Sequence, residues 1–94
     1  MKIGCLQADF YLHGCNSLKE KRQRLGRLRD KVSKQTELAV CESAFPDDLR
    51  RAQWSFVACA GSAVVVQQMF SDVEEYLTTA VDAEVTQLNR EWLV

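Results

Sequence analysis

Ser17-Leu18-Lys19-Glu20-Lys21-Arg22-Gln23-Arg24-Leu25-Gly26-Arg27-Leu28-Arg29-Asp30-Lys31-Val32 reads as one basic amphipathic helix, and the fold follows from what must lie against it. Ser17 is a good N-cap, because its hydroxyl can accept from the amides of the first turn. Glu20 completes a Ser-x-x-Glu capping box and suits the positive end of the helix dipole. At about 100° per residue, Leu18, Leu25, Leu28 and Val32 share one narrow arc that has to face a core. Gln23, Arg24, Arg27, Lys31 and Lys34 fall on the opposite side. Arg22 and Arg29 land beside the stripe, where their stems can follow the core rim while the charges reach water. Lys21 falls closer still, at the stripe's open N-terminal end. Gly26 stands mid-helix, where it costs about 1 kcal/mol against Ala, and close packing is the expected reason for it.

Working outward, Lys2 to Leu12 alternates, with Gly4, Leu6, Ala8, Phe10 and Leu12 on one side, which marks a strand with one strongly apolar face. His13-Gly14-Cys15-Asn16 is a turn in which Gly and Asn can take positive φ. After the helix, Thr36–Glu42 is a second strand with Leu38 and Val40 inward. Ser43–Asp48 breaks the chain, since Pro46 lacks an amide donor and biases Phe45 to an extended shape. Leu49–Gln53 is read as no more than a helical turn. Trp54–Ala60 follows as a third strand, with Trp54, Phe56 and Ala58 on one face. Ser62 caps a second helix whose buried side is Val66, Met69, Phe70, Val73 and Leu77. Asp82–Leu93 closes the chain as a strand with an irregularity before Leu88.

Strand, helix, strand, strand, helix, strand over residues 1–94 is one ferredoxin-like α+β domain. Two right-handed crossovers interleave into a four-stranded antiparallel sheet with both helices on one face. The other face is left open and presents Ile3, Cys5, Ala39, Cys41, Val57 and Cys59, small and mostly apolar. Contiguous exposed apolar surface suits an interface, so a homodimer through the sheet is expected.

Charge is divided along the chain. Residues 1–35 carry nine Lys and Arg against three acids, and residues 36–94 carry three against ten. Such a dipolar surface can steer a charged partner or pair with itself. Lys19, Lys21, Arg22, Arg24, Arg27, Lys31 and Lys34 are the expected polyanion contacts. No apolar run approaches the roughly 18 residues of a membrane span. The N-terminus lacks a signal peptide's apolar region, so a cytoplasmic location is expected. The four cysteines, Cys5, Cys15, Cys41 and Cys59, form no C-x-x-C pair, and reduced, small apolar residues are the simplest reading. One histidine cannot assemble a Ser-His-Asp set. No Gly-rich phosphate loop is present, and no small-molecule substrate or cofactor is evident. Asp72, Glu74 and Glu75 read as a solvated acidic face. An enzyme is not expected.

Ser17-Leu18-Lys19-Glu20-Lys21-Arg22 after a first strand, Ala39-Val40-Cys41-Glu42, Arg51-Ala52 before the third strand and Arg90-Glu91-Trp92-Leu93 at the close carry a resemblance. In these residues the chain resembles the YlxP-like family, small bacterial proteins of undefined function with a ferredoxin-like fold. Genes of that family often lie beside those for translation initiation and ribosome maturation, which implies a partner among RNA or ribosomal components. The family often has an acid and a histidine where this chain has Ala44 and Phe45, so a site built on that pair is absent here. Two functions are therefore expected to compete: an RNA- or ribosome-associated module using the basic helix, and a homodimeric adaptor that binds protein through the open sheet. Phosphate contacts give affinity without sequence choice. The aromatic sheet motif of an RNA recognition domain is missing, and Trp54 and Phe56 can stack on bases only if their side of the strand is the open one.

Overall fold

The computed structural model describes every residue from Met1 to Val94. The elements are β1 (Lys2–Tyr11), α1 (Leu18–Ser33), β2 (Leu38–Ala44), β3 (Arg51–Ala60), α2 (Ala63–Thr79) and β4 (Glu84–Trp92). All strand pairs are antiparallel in the order β2-β3-β1-β4, and both helices cover one face, which is the ferredoxin-like arrangement.

The two central strands, β1 and β3, each turn alternate residues to the helices. Leu6, Ala8, Phe10 and, just past the strand, Leu12 are all buried, beside Ala52, Trp54, Phe56 and Ala58 of β3. Onto this double row α1 places Leu25, Leu28 and Val32, and α2 places Val66, Phe70, Val73 and Leu77. Gly4 permits the closest approach: a Cβ there would stand 3.0 Å from the Phe70 ring and 3.2 Å from Val66. Any side chain there would require the Phe70 ring and Val66 to give way by a few tenths of an ångström.

Both helix starts are capped by serine. Ser17 Oγ accepts from the Glu20 amide at 3.0 Å, and Ser62 Oγ from the Val65 amide at 3.4 Å. The Glu20 carboxylate turns back one residue further than a reciprocal box requires and accepts from the Asn16 amide at 2.9 Å. The Cys15 thiol and that amide hold the Glu20 carboxyl below its usual range.

Local chemistry moves several boundaries. β3 starts at Arg51 instead of Trp54, and Leu49–Gln53 holds no helical turn. The cause is Asp48, whose Oδ1 accepts from the amides of Arg50 and Arg51 at 2.9 and 3.1 Å and so launches the strand. β2 runs two residues later than expected, with a register shift between Glu42 and Ala44. In the first turn only Gly14 has positive φ, at 69°. The expected irregularity before Leu88 is a shift that leaves Thr86 as the extra residue between Val85 opposite Phe10 and Gln87 opposite Asp9. Phe45 corrects the expectation from Pro46. Its φ is 60°, in the left-handed region that a bulky residue rarely adopts.

Candidate functional site

The stripe of α1 begins with a cation. Lys21 is buried, and its Nζ donates to the carbonyls of Phe45 at 2.7 Å and Asp48 at 2.8 Å, with Glu42 Oε2 at 3.3 Å. Its charge is engaged by the loop between β2 and β3 and by Glu42 near the end of β2. This holds Phe45 in its unusual conformation, with the Arg51 guanidinium 4.3 Å above the Phe45 ring. Lys21 is therefore withdrawn from the expected polyanion contacts.

Arg24 is corrected in the same way. Its guanidinium donates to the Asp82 carbonyl at 2.8 Å and the His13 carbonyl at 2.9 Å and pairs with the Asp82 carboxylate, and only 15% of its side chain is exposed. It ties α1 to the turns before α1 and β4. His13 itself is largely exposed and meets Glu84 at 3.2 Å, which leaves it a surface contact.

Lys19, Arg22, Arg27, Lys31 and Lys34 of the expected contacts remain exposed, and Arg29 joins them. None of these six pairs with a carboxylate within 4.0 Å. The Arg29 guanidinium lies 5.4 Å from the centre of the Trp54 ring and the Lys31 ammonium 5.8 Å from that of Tyr76, so each of these charges rests over an aromatic face with no carboxylate beside it. On the acidic half, Arg90 holds Glu74 at 2.9 Å through two guanidinium nitrogens, which removes Glu74 from the solvated acidic face.

Beside α1 lies a hollow of about 330 Å³ that the sequence reading did not anticipate. Leu18, Leu25 and Pro46 supply apolar wall, Arg22 and Arg29 flank it, and the Lys21–Glu42 pair closes one side. Gly26 lines it as well, and a Cβ at Gly26 would meet nothing within 4 Å. The last wall is Trp54, whose Nε1–H is buried and finds no acceptor in the chain. An unpaired buried donor costs about 1–3 kcal/mol. The one sequence signal for the hollow was the mid-helix Gly26, and the close packing expected of it is not what the structure shows.

The open sheet face carries Ile3, Cys5, Ala39, Cys41, Val57 and Cys59, alternating with the buried residues of their strands. Ala39, Val57 and Cys5 form one cross-strand row, Cys59 faces Ile3, and Cys41 faces Ser55. Burial, Glu91 and Cys41 push the Cys5 thiol up, which disfavours a reactive thiolate. All four cysteines are free thiols. The same face turns polar toward Gln7, Asp9, Ser43 and Gln53, and Asp9 Oδ1 is buried without a partner. Trp54 and Phe56 point to the helices, so neither offers a stacking platform on the open sheet. No helix is long and apolar enough to cross a membrane. No group of three or more His, Cys, Asp or Glu side chains is placed to hold a metal ion.

Solved structures share the architecture at low identity. A structural-genomics protein, YJCS, superposes with a TM-score of 0.58 at 12% identity, covering 95% of this chain and 96% of that one. The de novo designed protein Ferredog-Diesel gives 0.52 at 14% identity over 95% of this chain and 83% of its own. A putative chlorite dismutase gives 0.59 at 6% identity over 98% of this chain, which spans 42% of that longer protein. At such identities only the fold is common. In sequence, the "Uncharacterized protein YlxP" of Bacillus subtilis (strain 168) is 24% identical over 90 residues, 96% of this chain and 98% of that protein, a distant relationship. Residues 3–90, from the first strand to the arginine that grips α2, match the family described as "Protein of unknown function (DUF503)", and to that family the chain belongs.

Proposed function

We propose that this chain is a non-catalytic binding protein that holds RNA, alone or within a ribosomal particle, against the exposed cations of α1. One observation carries the reading: Lys19, Arg22, Arg27, Arg29, Lys31 and Lys34 reach solvent without a carboxylate partner, although the chain has thirteen acids. Cations left unpaired on one element are free to neutralise phosphates and release their counterions. Binding through them is sensitive to salt and weakly selective for sequence. Filter binding to mixed ribosomal RNA at low and moderate salt tests it. Binding should weaken steeply with salt, and the double change Arg27→Glu/Lys31→Glu should abolish it. Wild-type protein that fails to bind even at low salt would end the proposal.

A second reading is a homodimer through the open sheet, favoured by the row Ala39, Val57 and Cys5 and by the 37% exposure of Val57 at its centre. Val57→Asp should turn a sedimenting dimer into monomer. A wild-type monomer, or a dimer indifferent to the change, removes this reading.

A further inference from the structure

We propose that the hollow beside α1 is a binding site for a nucleoside phosphate, free or as one unit of a single strand, with the phosphate on Arg22 and Arg29 and the base against the apolar wall at Trp54. The RNA reading suggests the ligand's source, but the hollow itself lies apart from Arg27, Lys31 and Lys34. Three independent features converge on it.

The first is Gly26. No neighbouring atom needs it to be small, since a Cβ there meets nothing within 4 Å. Its lack of a side chain keeps the hollow open instead. The second is the charge at its edges. Arg22 and Arg29 are seven residues apart, two helical turns, so both stand on the hollow's side of α1, and neither has a carboxylate partner. Two planar guanidiniums suit bidentate capture of a phosphate far better than a neutral ligand. The third is Trp54, a 94% buried aromatic that forms one wall of the hollow. Arg29 lies over that indole, 5.4 Å from its centroid, so a phosphate that draws the guanidinium aside uncovers the indole to a base. A flat base suits the apolar wall, and Arg planes themselves stack on bases. About 330 Å³ is within the ordinary range of small-ligand sites.

The test uses the full chain with Trp92→Phe, which leaves Trp54 as the single tryptophan. Uridine monophosphate, inorganic phosphate and a short oligouridylate are titrated while Trp54 fluorescence and calorimetric heat are followed. Uridine monophosphate or the oligouridylate should give a saturable change at least about tenfold tighter than inorganic phosphate. Gly26→Leu starts from a Cβ that meets open space and replaces a mid-helix glycine by a good helix former, so it should melt no lower than the parent yet bind about tenfold more weakly. Arg27→Glu/Lys31→Glu should leave the mononucleotide within about twofold while reducing the oligouridylate. A response to the oligouridylate alone that Gly26→Leu removes would place the base of a strand in the hollow. Inorganic phosphate binding as tightly as the nucleotide would overturn the proposal, as would Gly26→Leu binding like the parent. If Gly26→Leu still binds the oligouridylate and Arg27→Glu/Lys31→Glu does not, the hollow fails and the basic face stands. No binding of any probe, including ribosomal RNA, would sink both.

Discussion

The two helices bury their stripes at the same spacing. In α2 the buried positions are Val66, Phe70, Val73 and Leu77, and in α1 they are Lys21, Leu25, Leu28 and Val32. Steps of four, three and four give both helices the same seat on the sheet. They differ at the first position, where α2 has valine against Gly4 and α1 has a lysine that reaches past the core into the loop between β2 and β3. Periodicity therefore decides which position is buried, and the neighbouring chain decides what chemistry that position can hold. A lysine is tolerated there because two carbonyls and Glu42 replace its water.

The largest expected effect is at that position. Lys21→Met keeps the stem and leaves the Phe45 and Asp48 carbonyls and Glu42 without their cation. It should cost about 2–4 kcal/mol, read in chemical denaturation, and lower Tm by roughly 10 °C or more. Lys31→Met, one helix face away, should stay within about 0.5 kcal/mol. Equal effects from the two would break the distinction between a structural and a free cation. Arg24→Ala comes next, at about 1–2 kcal/mol, because two loop carbonyls lose their donor while the site stays open to water. Proteolysis between Leu12 and Asn16 should quicken in that variant.

The caps separate the helices more finely. Ser17→Ala should cost about 1 kcal/mol, and Ser62→Ala less, since the Ser62 bond is longer and no acidic side chain supports that first turn. The smallest effect is with pH. The Glu20 and Asp48 carboxyls are held below their ordinary values, the former by the Cys15 thiol and the Asn16 amide, the latter by the Arg50 amide and Arg51. The folded state thus binds fewer protons than the unfolded chain at acid pH. Their contribution is complete above about pH 5 and is lost as pH falls through about 4 and below. Glu20→Gln/Asp48→Asn should flatten that part of the stability profile, and an unchanged profile would deny these contacts any weight.

Much of this was open to reading from residues alone. The alternation from Gly4 to Leu12, the serine caps and the two stripes were visible because periods of two and 3.6 are local properties of backbone geometry. The small apolar set on the open face was visible for the same reason. Lys21, Arg24, Glu74 and Phe45 were misread because each is settled by a partner distant in sequence: the β2–β3 loop, Asp82, Arg90, and Lys21 in turn. The hollow shows the same limit. Its walls come from α1, β2, β3 and the loop at Pro46, and only Gly26 hinted at it.

The order of residues by itself determined the six elements, their buried sides and the split of charge between the halves of the chain, since hydrophobic period and capping act within one turn or one strand. Which cations remain free, which way Trp54 looks and where a cavity opens were decided only when the sheet and helices closed together. Those properties depend on desolvation and on acceptors supplied from across the fold, and no single stretch of chain contains them.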